Sequence, residues 1–138
     1  MSNTAEILSE RAEKIGCKLA LYNHGDWFGQ PPNQVKIIQA LPNKDLGIIY
    51  NFHHAHDQLA DFGKNVELMM PYLWHVNVSG LKKEGPKILP VGTGDYEMGM
   101  IELLLKEGYT GDFGVLGHVH EADVEMILKA NLSGLLNY

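Results

Sequence analysis

Apolar positions along this chain switch repeatedly between helical spacing and short unbroken runs. Ala5, Leu8, Ala12 and Ile15 recur at helical spacing, Thr4 or Ser2 can cap the start, and Gly16 stops the helix. Leu19-Ala20-Leu21-Tyr22 then reads as a short buried strand feeding the loop Asn23-His24-Gly25-Asp26. Pro31 and Pro32 suit a first helical turn, where their missing N–H is not needed. Val35, Ile38 and Leu41 continue that helix until Pro42-Asn43 breaks it. A second strand, Leu46 to Asn51, runs into a burst of polar side chains. After it, Asp57 opens a helical pattern through Leu59, Phe62, Val66, Met69 and Leu73, with its end near Pro71-Tyr72.

Trp74-His75-Val76-Asn77-Val78 is strand-like, being rich in β-branched and aromatic residues. The long loop Ser79 to Gly94 follows and carries Lys82, Lys83 and Lys87. Asp95 can cap a helix striped by Met100, Ile101, Leu104 and Leu105, which Gly108-Tyr-Thr-Gly111 ends as a glycine C-cap and turn. Phe113 to Gly117 is a last strand, followed by His118-Val-His120, and Val124, Ile127, Leu128 and Asn131 share one face of a final helix. The pattern is a helix followed by four strand-loop-helix units in one domain, residues 1–138. Such alternation predicts an α/β fold with a parallel sheet and right-handed crossovers. A parallel sheet wants both faces covered. Four βα units therefore imply an open doubly wound sheet or half of an eight-strand barrel.

Composition narrows the function. The 138 residues are 45% hydrophobic and 20% charged, with a net charge of −6 and Arg11 as the sole arginine. Nucleic-acid binding calls for a basic face, so it is disfavoured. No apolar run approaches the roughly 20 residues that span a bilayer, and the N-terminus lacks a basic patch leading into an apolar stretch. A cytoplasmic protein with no membrane or nucleic-acid partner is the expectation. Cys17 is the only cysteine, so no internal disulfide forms, and it reads as a buried strand residue.

Candidate chemistry concentrates in Gly47-Ile-Ile-Tyr-Asn-Phe-His-His-Ala-His56. An apolar strand ends there in one amide and three imidazoles, and the carboxyl end of a parallel strand is where ligand-binding side chains converge. Asn51 and His54 are the leading candidates, against the alternative that they satisfy loop backbone groups. His53 is expected on the other side by strand alternation, and His56 either joins the site or merely precedes the helix. His24 follows the first strand and faces the same pocket or the loop. Trp27 and Phe28 form a platform for a sugar face or pack their loop. Asn77 qualifies by position, and His118 and His120 bracket the last strand end. His75 is expected away from the centre because it alternates with Val76.

Leu19-Ala-Leu-Tyr-Asn-His-Gly25, Gly47 to His56, Val76-Asn-Val-Ser79, Pro90-Val-Gly-Thr-Gly-Asp95 and Gly108-Tyr-Thr-Gly111 occur in an order that resembles the C-terminal half of a xylose isomerase-like TIM barrel, the sugar-phosphate isomerase/epimerase group. That resemblance implies four βα units forming half of a (β/α)8 barrel. Members of the group hold a divalent metal with a Glu, an Asp, a His and a second Glu. At the matching positions this chain has Tyr22, Asn51, Asn77 and about Gly117, while His54 retains the His of the Asp-x-x-His motif. Tyr and Gly supply no carboxylate, and an amide is a weak ligand for a hard cation.

The function expected is therefore that of a sugar isomerase/epimerase-like protein acting on a small carbohydrate, with the metal-binding carboxylates substituted. The pocket would be lined by Tyr22, His24, Asn51, His54, Asn77 and His118. His54 is the acid/base candidate, because imidazole exchanges protons near neutral pH. A non-catalytic carbohydrate-binding or structural half-barrel is the alternative. A flavodoxin-like nucleotide binder is weaker, since no phosphate-cradling glycine loop follows the first strand. The cofactor is open: Zn²⁺ or Mn²⁺ is conceivable, with His24, His54 and His118 as a neutral imidazole set. Exposed edges imply a homodimer that closes the barrel, and the abrupt helical start implies, alternatively, a missing N-terminal half.

Overall fold

The computed structural model describes residues 2–86, 88–117, 119 and 121–136. Helix α1 (Ser2–Lys14) leads into strand β1 (Leu19–Tyr22), and helix α2 (Pro31–Gln39) leads into β2 (Leu46–Asn51). Two 3₁₀ turns, Phe52–His54 and His56–Asp61, precede α3 (Phe62–Met69). Then come β3 (Leu73–Val78), α4 (Glu97–Lys106), β4 (Asp112–Val115) and α5 (Val124–Leu136). The punctuation read from the sequence is where the elements stop. Gly16 and Gly108 both have positive φ, and beyond them Cys17 N–H donates to the Ala12 carbonyl and Tyr109 N–H to the Leu104 carbonyl. Those bonds close helix ends with a left-handed glycine.

Three expectations need correction. Cys17 is exposed, because it belongs to the turn closed by Gly16 and β1 starts only at Leu19. The 3₁₀ turns delay α3 to Phe62, and Leu73 joins β3 instead of the helix. Asp95 does not cap α4: the residue before the helix is Tyr96, which makes no side-chain cap bond.

The four strands are parallel and lie in sequential order, β1-β2-β3-β4. Right-handed crossovers in that order place every helix on one face. Burial agrees: Leu46, Ile48, Tyr50, Val76 and Val78 point to one side and are sealed. Laterally paired residues share a face, so the register Tyr22–Ile49–His75–Asp112 and Asn51–Asn77–Gly114 defines the other side. That face carries Tyr22, Ile49, His75, Asn51 and Asn77, and among the described residues the crossovers place no helix over it. The sheet thus has a packed back and a front with polar side chains at its carboxyl end, and among the described residues β1 and β4 are its outer strands.

The flanking helices tell the same story. On α1, Ala5 and Ser9 are buried, while Leu8 and Ile15 of the expected stripe are exposed, Ile15 to 77%. On α5 only Asn131 is buried, and Val124, Met126 and Leu136 face outward. Both edges of the wall therefore end in apolar surface with no cover among the described residues.

Candidate functional site

Two side chains at the carboxyl ends of β1 and β2 build the floor of the site. Asn23, one residue past β1 and fully buried, accepts the Asn51 N–H at 2.7 Å and donates to the Asn51 carbonyl at 3.0 Å. An amide carries a donor and an acceptor side by side, as a peptide does. Asn23 thereby extends the β1–β2 ladder one step beyond the strand and holds Asn51 in place. Sequence reading missed it. The available signal was an amide at the last position before a loop, opposite another amide.

The Asn51 side chain is buried and its orientation is decided by its neighbours. Its Oδ1 accepts the His53 N–H at 3.0 Å, so Nδ2 faces the Tyr22 hydroxyl and donates to it. The Tyr22 hydroxyl hydrogen is left to point elsewhere. Tyr22 is 38% exposed, on the open face. Around it the rings gather: His54 lies edge-on to Tyr22 with centroids 5.7 Å apart, and His24 lies 4.5 Å from His54 and 6.3 Å from Tyr22.

His53 also belongs here. Its ring is 4.6 Å from that of His54, contrary to the alternation argument, because Phe52–His54 is a 3₁₀ turn and not a strand. The His56 Nδ1 is 3.0 Å from the His53 carbonyl oxygen, which ties the second turn to the first. Behind them the Tyr50 hydroxyl donates to Gln58 Oε1 at 2.9 Å, and Gln58 Nε2 donates to the Gly29 carbonyl at 3.0 Å. This buried chain links β2 to the loop after β1. Burial, which disfavours the phenolate, pushes the Tyr50 hydroxyl well above the usual tyrosine range.

Asn77 stands beside Asn51 on the open face, and its Oδ1 is 3.1 Å from His75 Nε2. His75 is thus on the site face and not away from it, since residues two apart on a strand point the same way. Gly114 makes room for the pair: a Cβ there would lie 2.7 Å from both Asn77 Oδ1 and His75 Nε2. Gly117 is closed in a different way, because a Cβ there would lie 2.7 Å from Ile127 of α5. His118, His120 and Lys87 lie outside the described residues.

The loop after β3 is held by a residue the sequence did not advertise. Glu97, fully buried at the start of α4, accepts N–H groups from Gly92 (3.1 Å) and Gly94 (2.7 Å) on Oε1 and from Leu81 (3.1 Å) on Oε2. Asn131 of α5 accepts the Val91 N–H at 3.0 Å. The only hint was an acid just after Gly92-Thr-Gly94.

Chemically, the wall offers hydroxyl, amide and imidazole groups. Tyr22, Asn51 and Asn77 carry no carboxylate, and a Cβ at Gly117 would press on Ile127 of α5. Among the described residues no three His, Cys, Asp or Glu side chains are grouped to hold a metal ion, and no helix is long and apolar enough to cross a membrane.

No family model matches the chain, and no curated protein matches it. Solved structures do. The chain superposes on the E. coli 3-keto-D-glucoside 4-epimerase YcjR with a TM-score of 0.74 and 17% identity, covering 99% of this chain and 52% of that one. For the probable 3-DHS dehydratase AsbF of Bacillus anthracis the TM-score is 0.77, with 16% identity and coverage of 99% and 55%. For a xylose isomerase-like TIM barrel protein from Mycobacterium smegmatis, in complex with magnesium, it is 0.64, with 20% identity and coverage of 97% and 50%. The chain spans about half the length of each. Sequential parallel strands alternating with helices, and superposition of nearly the whole chain on about half of each neighbour, make this an α/β fold corresponding to half of a TIM barrel.

Proposed function

We propose that this chain is a sugar isomerase/epimerase-like protein that acts on a small carbohydrate, with hydroxyl, amide and imidazole side chains in place of the metal-binding carboxylates that the family resemblance implies. The observation that carries the reading is the meeting of Tyr22, His24, Asn51 and His54 at adjacent strand ends, with the Tyr22–Asn51 bond leaving the hydroxyl hydrogen of Tyr22 available to a ligand. Neighbours in fold include proteins described as a 3-keto-D-glucoside 4-epimerase and as D-psicose 3-epimerases, which supports a sugar as ligand. Tyr22, Asn51, Asn77 and His24 bind hydroxyls in this proposal, with His118 completing the set. His54 is the catalytic residue: its imidazole takes the proton from a carbon next to a carbonyl and returns it to the same or the adjoining carbon. The alternative is a carbohydrate-binding half-barrel without turnover, favoured by the loss of the carboxylates.

A test is incubation with aldoses and ketoses in D₂O, read by loss of carbon-bound proton signals. Exchange that His54→Ala abolishes supports the enzyme; saturable binding without exchange supports the binding module. If an ion takes part, imidazoles suit Zn²⁺ better than Mn²⁺, and stoichiometric metal retention lost in His54→Ala is the readout. The 138 residues act as one domain whose open face and edges are completed by a second copy or by a separate N-terminal half. A monomer by light scattering at micromolar concentration would refute the first of these.

A further inference from the structure

Among the described residues this chain has one α-helix more than it has strands: four strands alternate with five helices, because α1 precedes β1 and α5 follows β4. Each of these end helices has one flank turned to the chain and one turned away. On α1, Ala5 and Ser9 are buried, and Glu10 and Glu13 both reach Lys44 Nζ at 3.5 Å, which tethers that flank to the turn before β2. At 3.6 residues per turn Leu8 falls on the opposite flank; it is half-exposed, and exposed Ile15 follows just past the helix end. On α5, Asn131 is buried, and a Cβ at Gly134 would collide with the Val91 carbonyl of the loop after β3. Leu128, Leu132 and Leu136, spaced four apart, run along the other flank and are exposed. A cleft of about 210 Å³ lies beside that stripe, lined by Val115, Gly117, Val124, Ile127, Leu128 and Asn131.

Outward apolar flanks on both end helices, beside outer strands with no partner on one side among the described residues, are surfaces that a neighbour covers. The helix count decides which neighbour. A closed (β/α)8 barrel has eight strands and eight helices, one helix over each seam between strands. Two copies of this chain supply eight strands and ten helices, and each closing seam would hold the α5 of one copy and the α1 of the other. A helix is about 10 Å across, so the second one over a seam has no strand to rest on. A half of four strands and three helices brings both totals to eight. The solved neighbours have the length for it, since this chain covers only 50% to 55% of each. We infer that the outward flanks of α1 and α5, with the outer edges of β1 and β4, dock a half-barrel of four strands and three helices, and that α1 keeps a second copy of this chain out of that place. This chooses between the two completions proposed above, and it rests on the fold and not on the sugar.

The test uses the full chain and, as probe, the part of the AsbF chain that this chain leaves unmatched, refolded together at equal concentration. Strand edges pair through backbone groups that every sequence has, so a scaffold of matching geometry, with a TM-score of 0.77 over the superposed part, suffices. By sedimentation velocity at micromolar concentration the chain alone should be a monomer. The mixture should contain a one-to-one complex in which the amides of β1 and β4 gain protection from exchange. Leu8→Asp/Leu132→Asp should weaken that complex roughly tenfold or more, because docking would bury two unpaired carboxylates; Leu8→Ile/Leu132→Met should keep it. Leu8 and Leu132 are about half exposed, so these substitutions leave the core intact, which circular dichroism checks. A stable dimer of the full chain alone overturns the exclusion of a second copy. No complex with the probe, or one that the charged variant forms equally well, overturns the docking surface. No sugar is present, so either failure leaves the carbohydrate reading to the D₂O exchange assay.

Discussion

Replacing Glu97 by Gln tests whether one buried carboxylate organises the loop after β3. The change is nearly isosteric, so packing is preserved and hydrogen bonding is isolated. Gly92 and Gly94 donate to one oxygen and Leu81 to the other. An amide turned its better way keeps its oxygen on the two glycine N–H groups and sets its NH₂ against the Leu81 N–H. These two facing donors are then left without an acceptor, at a cost of about 1–3 kcal/mol. The two surviving bonds lose charge assistance, about 1 kcal/mol each, and relief from burying a charge offsets part of this. A net loss near 2 kcal/mol is expected, or about 8 °C in Tm for a domain of this length. Calorimetry on both proteins gives the number, and amide exchange gives the location: protection should fall first at Leu81, Gly92 and Gly94. A Tm within about 2 °C of the parent, with those amides still protected, would refute the account.

Other substitutions probe separate features. Gln34 is fully buried on α2, and neither atom of its amide has a partner among the described residues. Gln34→Leu should therefore stabilise by about 1–2 kcal/mol, read as a raised urea midpoint at unchanged slope; a lower midpoint would show that the amide is satisfied. Asn23→Leu removes both bonds to the Asn51 backbone and should cost about 2–3 kcal/mol and weaken ligand binding at Tyr22, measured by denaturation and dialysis together. Burial and the nearby Asp112 carboxylate push the Tyr109 hydroxyl up to about 12. The folded state thus keeps a proton that the unfolded chain releases near pH 10, and stability present below pH 10 falls as pH rises toward 12. Tyr109→Phe should flatten that alkaline loss; an unchanged pH profile would count against the assignment.

The local rules were written in the residues. Gly16, Gly108, Pro31 and Pro32 mark helix ends because φ > 0 and the missing N–H are properties of single residues, and the apolar runs at Leu19–Tyr22 and Leu46–Asn51 are strands wherever they pack. The alternation of runs and stripes dictated a parallel α/β sheet, and the polar burst after Asn51 marked the right end of it. Which side chains meet was decided only in three dimensions. His53 lies against His54 because a 3₁₀ turn replaced strand alternation, and the His75–Asn77 contact fits because Gly114 on a neighbouring strand leaves it space. Asn23 and Glu97 act on backbone N–H and C=O groups 28 and up to 16 residues away, and backbone groups leave no trace in sequence. The stripes on α1 and α5 show the converse limit: periodicity reveals an apolar face, but whether that face is covered depends on the surface it meets, and here four strands close only half of a circle.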